Sequence, residues 1–291
     1  MFGGAGLGLA LAAAGGYEAV DAGVLPGRST MHRVLGLNGP PGTIPDVDPG
    51  PAHSGRFRSA ARSGAATGWT ISYPPRAPKR LRPLIVLHGR GADHRSAFGD
   101  QLGLDRFLAE LVTNGAAPFA IASVDGGDHS YWHARNDGED AGRMVIDEFI
   151  PLLAAQGLDT TRVGLLGWSM GGYGALLLGG QLGAARTAVV VAESPAIWHH
   201  AGDTPSGAFD DAADFEAHTV FGRERQLHGI PVRLDCGTGD GFYPAARDYA
   251  RSLTRAGITT TGGFEPGGHD LAYWRRMAPA QLQYVSQRLP A

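Results

Sequence analysis

With 291 residues, 43% of them hydrophobic and 8% aromatic, the chain suits one large α/β domain with a short extension and is too short for two full domains. A formal net charge of −3 gives nucleic acid or an anionic membrane surface no electrostatic foothold. The single cysteine, Cys236, excludes an intramolecular disulfide, and its place in an apolar run makes it a buried, inert thiol.

In chain order, Met1 to Gly16 comes first, an uncharged run made almost wholly of Gly, Ala and Leu. Its length matches the apolar core of a secretory signal and falls short of the ~20 residues a membrane-spanning helix needs. No Lys or Arg precedes it, as a secretory signal should have, which fits a start codon set downstream of the true one. The expectation is an exported protein; the alternative is a Gly/Ala segment of a cytosolic one. Val24 to Pro51 is rich in Gly and Pro and reads as an extended linker. Residues 1–54 are therefore assigned to an export-type segment plus linker, and 55–291 to the catalytic domain.

From there strands and helices alternate. Trp69 to Tyr73 predicts a short strand, and Leu84 to Leu87 a central one. The spacing of Leu104, Phe107, Leu108 and Leu111 predicts a helix over Leu104 to Asn114. Phe119 to Val124 reads as a strand, and Met144, Val145, Phe149, Leu152 and Leu153 mark the next helix. Val163 to Leu166, Ala188 to Ala192 and Val232 to Cys236 are continuous apolar strands, and Leu271 to Leu289 is a helical pattern. Continuous apolar strands imply a sheet covered on both faces. The expected architecture is a mostly parallel α/β sheet with helices on both faces. His199 to Leu227 has few strand signals and reads as a small lid.

Three ordered segments carry chemistry. Gly167-Trp168-Ser169-Met170-Gly171 lies between an apolar strand and a small-residue helical run, the strand, G-x-S-x-G, helix order of an α/β-hydrolase nucleophile elbow. Asp240 follows the strand at Val232 to Cys236 in a Gly-flanked loop, and His269 stands in the Gly-rich loop Pro266-Gly267-Gly268. A serine hydroxyl is too weakly acidic to attack an acyl carbon unaided, so His269 must take its proton. Asp240 must hold the imidazole in the right tautomer. Asp235 competes for that role, but it lies within the strand, whereas an orienting acid belongs in the loop beyond the strand's end. The catalytic set is thus Ser169, Asp240 and His269. Before them, Pro83 to Leu87 opens into His88-Gly89-Arg90-Gly91. That loop and the residue after the nucleophile supply the oxyanion hole of this architecture, each donor contributing on the order of 3 kcal/mol. The backbone N–H groups of Arg90 and Met170 are chosen, with Gly89 and Gly91 as alternatives for the first. Trp132, with Tyr131, follows the strand ending at Val124, and Trp198 follows the strand after the elbow; both are expected to wall the substrate pocket. No group of His, Cys and acids has metal-ligand spacing, so no metal and no cofactor is expected.

Together, His88-Gly89-Arg90-Gly91, the Ser169 pentapeptide, Cys236-Gly237-Thr238-Gly239-Asp240 and Gly267-Gly268-His269-Asp270 resemble the esterase family that contains S-formylglutathione hydrolase (esterase D), feruloyl esterase domains and the antigen 85 mycolyltransferases. The resemblance runs from about Gly68 to Leu289. It implies a serine hydrolase acting on a small-molecule or lipid or sugar ester, without a nucleic-acid partner. Acyl transfer to a sugar or lipid hydroxyl is the alternative activity. It also implies a structural role for Asp125 and places His88 beside the oxyanion loop. The apolar residues of the lid are few, which favours short to medium acyl chains and water as acceptor.

Overall fold

Period-two alternation along the central strands sets the layers. Ile85 and Leu87 pack into one hydrophobic cluster, while Leu84 and Val86 pack into the other, across the sheet. Leu165, Val190 and Ala192 repeat the first pattern, and Leu166, Val189 and Val191 the second. Every one of these side chains is buried. The computed structural model describes residues 27–77, 80–258 and 260–289. Its sheet has eight strands in the order β1-β2-β4-β3-β5-β6-β7-β8. These are β1 (Ala52–Ser59), β2 (Ala65–Ser72), β3 (Pro83–Leu87), β4 (Ala120–Val124), β5 (Val163–Trp168), β6 (Thr187–Glu193), β7 (Val232–Asp235) and β8 (Thr260–Thr261). β1 and β2 pair antiparallel, β2 joins β4 antiparallel, and every later pairing is parallel.

The helices are α1 (Arg28–Val34), α2 (Leu104–Thr113), α3 (141–155, with a π turn over Met144–Phe149), α4 (Met170–Arg186), α5 (Ala212–His218), α6 (Tyr243–Arg255) and α7 (Leu271–Ser286). Residues of α3, α4 and α6 fill the cluster on one face, and residues of α2 and α7 that on the other. Both faces of the sheet are therefore covered, as the apolar strands require. The region between Trp198 and Pro231 carries α5 and two short 3-10 turns at Ala201–Asp203 and Glu224–Leu227.

The segment expected as a linker differs from that expectation. Its described part, from Gly27 on, carries α1 and continues as extended chain laid against the domain. Gly42 N–H donates to Ala272 O at 2.7 Å, and Ile44 packs against Gly103. The Arg276 guanidinium donates to the carbonyls of Asn38, Pro40 and Pro266. The sheet itself starts at Ala52. The expected signal stretch, Met1 to Gly16, lies outside the described residues. Among the described residues no helix is long and apolar enough to cross a membrane.

Candidate active site

Ser169 sits in the one-residue turn between β5 and α4 with φ 57° and ψ −120°. A non-glycine residue at positive φ is strained, so the surroundings must hold it. Its N–H donates to Glu193 O at 3.0 Å, and its carbonyl accepts from Tyr173 N and Ala196 N. The flanking glycines are sterically required. A Cβ on Gly167 would lie 2.1 Å from Gly171 O, and one on Gly171 would lie 1.9 Å from Leu87 O. Only glycines let β5, β3 and α4 approach closely enough to raise this turn above the sheet.

His269 reaches the serine from the loop before α7. Its Nε2 is 2.9 Å from Ser169 Oγ, and its Nδ1 is 2.8 Å from Asp240 Oδ2. Asp240 is fully buried, and its other oxygen accepts from Phe242 N at 2.9 Å. With Nδ1–H donating to the carboxylate, Nε2 is left as the acceptor that a serine hydroxyl needs. The competing acid is occupied elsewhere. Asp235 accepts from Arg233 at 2.7 and 3.0 Å, from Gln281 at 3.0 Å and from Gly263 N at 3.2 Å.

The loop after β3 closes over Ser169. A Cβ on Gly89 would lie 2.8 Å from Trp168 Nε1 and 3.4 Å from Ser169 Cβ. Gly91 N–H already donates to Asp128 O at 3.0 Å, which removes it from the alternatives for an oxyanion donor. Met170 is the first residue of α4, where backbone N–H groups have no intrahelical acceptor and the helix dipole is positive. The loop is pinned from behind. His88 Nε2 accepts from Gly126 N at 2.9 Å, while its Nδ1–H donates to Gly89 O at 2.8 Å. Burial pushes the His88 imidazole below its ordinary pKa, so it is neutral and keeps one donor and one acceptor. Asp125 accepts from His94 Nδ1 at 2.7 Å, His94 N at 2.8 Å and Gly68 N at 3.0 Å. Burial alone would raise its pKa, but these hydrogen bonds outweigh burial and hold it down at about 2. Asp125 thus ties the loop after β3 to β2.

In front of Ser169 and His269 lies a cavity of about 370 Å³ with Arg90, Gln101, Trp168, Leu271 and Trp274 on its walls. Neither expected tryptophan is among them. Trp132 is fully buried: positions for a Cβ on Gly126 and on Gly174 would each lie 2.5 Å from its ring, and its Nε1 donates to His88 O at 3.4 Å. It supports the loop after β3 from beneath. Trp198 is half-buried in an aromatic group with Tyr131, Phe209 and Phe242, and the Phe242 ring stands 5.2 Å from His269. Trp168 and Trp274 take the expected place instead. Trp168 is the residue before Ser169, and Leu271 and Trp274 share one face of α7 by their three-residue spacing, which was the available signal.

No protein-family model matches this chain. The iron(III) salmochelin esterase of Escherichia coli O6:H1 is 24% identical over 188 residues, 60% of this chain and 45% of that protein. The chain thus spans less than half the length of the curated relative it matches. A ferulic acid esterase structure superposes with a TM-score of 0.70 at 19% identity, covering 83% of this chain and all of that one. The S-formylglutathione hydrolase of Agrobacterium tumefaciens does so with a TM-score of 0.70 at 16% identity, covering 85% and 98%. The sheet order, the elbow between β5 and α4 and these superpositions agree that the chain has the α/β-hydrolase fold.

Proposed function

We propose that the protein is a serine esterase in which Ser169, His269 and Asp240 form the catalytic triad. The observation that carries this reading is the continuous relay of 2.9 and 2.8 Å from Ser169 Oγ through the imidazole to a fully buried carboxylate. Ser169 Oγ attacks the ester carbonyl as its proton passes to His269 Nε2. The backbone N–H groups of Arg90 and Met170 hold the tetrahedral oxyanion, and His269 returns the proton to the leaving alcohol. Water, deprotonated by the same nitrogen, then releases the acid and frees the serine. The similar proteins are named for hydrolysis of salmochelin, ferulic acid esters and S-formylglutathione, in line with this chemistry.

The substrate is a carboxylic ester with a short to medium acyl chain. Each methylene of a long chain needs about 0.8 kcal/mol worth of apolar cover. Leu271, Trp168 and Trp274 offer that cover only close to the serine, and Arg90 and Gln101 make the remaining wall polar. Transfer of the acyl group to a sugar or lipid hydroxyl is the second reading; a mouth open to water favours hydrolysis. Turnover of p-nitrophenyl esters of increasing chain length, with and without trehalose, tests both. Falling turnover with chain length and free acid as product are expected. A long-chain preference or acylated sugar would replace hydrolysis with transfer. Export belongs to this reading on the strength of Met1 to Gly16 alone, and fractionation of the native host should find the protein outside the cytoplasm.

A further inference from the structure

We propose that His133, Asp214 and His218 form a binding site for one divalent transition ion of the zinc class, tying α5 of the lid to the loop that carries Tyr131. Two imidazoles and a carboxylate are a donor set suited to such an ion. One ligand atom from each of the three lies within 4.8 Å of the others. Asp214 Oδ1 is 2.8 Å from His218 Nδ1 and 3.7 Å from His133 Nδ1. Metal–ligand bonds of about 2.0–2.2 Å in a tetrahedron place neighbouring ligand atoms about 3.3 Å apart, so the two observed separations bracket the required one. The four-residue spacing of Asp214 and His218 puts them on one face of α5.

The surroundings of His133 set which of its nitrogens can reach the ion. Its ring is wholly buried, and Nδ1 lies 2.9 Å from Ala134 O and Nε2 lies 3.3 Å from Ala208 O. Ala208 O already accepts from Arg135 Nη1 at 2.9 Å, so it does not depend on the His133 ring for a donor. An ion on Nδ1 would take the place of the contact with Ala134 O. Nε2–H then donates to Ala208 O, the outer carbonyl contact that orients most metal-bound histidines. The His133 and His218 rings stack with centroids 4.4 Å apart, and both Nδ1 atoms turn toward Asp214. His218 Nδ1 also lies 3.0 Å from Asp214 O, a contact that the ion would replace. A cavity of about 250 Å³ bordered by His133, His218 and Gln181 leaves room for water as the fourth ligand. Tyr131 packs on Phe209 and Trp198, so the ion would fix the aromatic wall behind the triad without taking part in the proposed ester chemistry.

The test uses the full chain, stripped with a chelator, and reads metal uptake rather than activity. Zinc is followed by calorimetry, cobalt(II) by its visible spectrum, and thermal unfolding is recorded with and without zinc. The variants are His218→Gln, Asp214→Asn and, as a surface control, His199→Ala/His200→Ala, each checked for native circular dichroism. Expected are one zinc per chain, a tetrahedral cobalt spectrum and a raised unfolding midpoint in the wild type and the surface control. His218→Gln and Asp214→Asn should weaken binding by at least the ~10–100-fold that loss of an outer-shell partner already costs. Uptake unchanged in both variants, or lost in the surface control, would overturn the site. A wild-type chain that takes up neither metal overturns it whatever the variants do.

Discussion

At the residue scale, Asp240 and Asp235 separate two roles that one strand and its loop could have served. Asp240→Asn puts an amide where the carboxylate fixes the tautomer of His269, and kcat should fall by about 10⁴-fold with folding intact. Asp235→Asn should leave kcat near the wild-type value and lower stability by about 1–3 kcal/mol, because Arg233 loses its buried partner. Ester turnover and urea unfolding of the two variants check this; a dead Asp235→Asn beside an active Asp240→Asn would reverse the assignment. The three proposed catalytic residues were legible because each stands among glycines, Ser169 and Asp240 after apolar strands and His269 just before the helical pattern of α7. The tryptophans were not. Tyr131 and Trp132 have φ of 49° and 58°, and that turn directs the Trp132 ring inward against Gly126 and Gly174. A loop position in the sequence does not carry that information. Asp214 and His218 were passed over for a related reason: their helical spacing is visible, but His133 comes from a distant loop.

Among the elements, the loop after β3 depends on its tether to β2 and β4. Asp125 has a folded-state pKa of about 2, below the ~3.9 of an unfolded aspartate. A depressed carboxylate contributes stability that is present above the unfolded pKa and is lost as pH falls through the folded one. Asp125→Asn should therefore flatten the loss of stability between about pH 4 and pH 2, measured as urea midpoints across that range. The same variant should lower kcat more than it raises KM, since Gly89 and Arg90 are held through His94 and His88. An acid limb identical to the wild type would remove Asp125 from this role. The central strands could be read from their apolar runs because burial on both faces leaves no polar alternation. β1 is largely exposed and polar along its length, α1 has seven residues and β8 two, so none produces a periodic signal.

On the scale of the whole molecule, the chain before β1 reaches round to the loops that hold Asp240 and His269. A Cβ on Gly239 would lie 2.4 Å from Asn38 Oδ1, one on Gly268 would lie 3.0 Å from Asn38 Nδ2, and Arg276 joins the carbonyls of Asn38, Pro40 and Pro266. Removing residues 1–44 should therefore lower both kcat and the unfolding midpoint. Arg276→Ala should act in the same direction, costing about 2 kcal/mol, or about 4–8 °C in Tm for a domain of this size. Unchanged kcat and Tm in the truncated chain would show that the segment is only laid on the surface. Composition alone read this stretch as a linker, because its contacts are made through backbone carbonyls and isolated side chains such as Asn38 and Ile44 rather than through a periodic apolar face.

The most direct measurement is Ser169→Ala, assayed for p-nitrophenyl ester turnover and for labelling by a fluorophosphonate. The account predicts native circular dichroism and Tm, no labelling, and kcat lower by about 10⁴- to 10⁶-fold, with the residual rate left to oxyanion binding. Wild-type-like turnover, or labelling that persists in the variant, would contradict it.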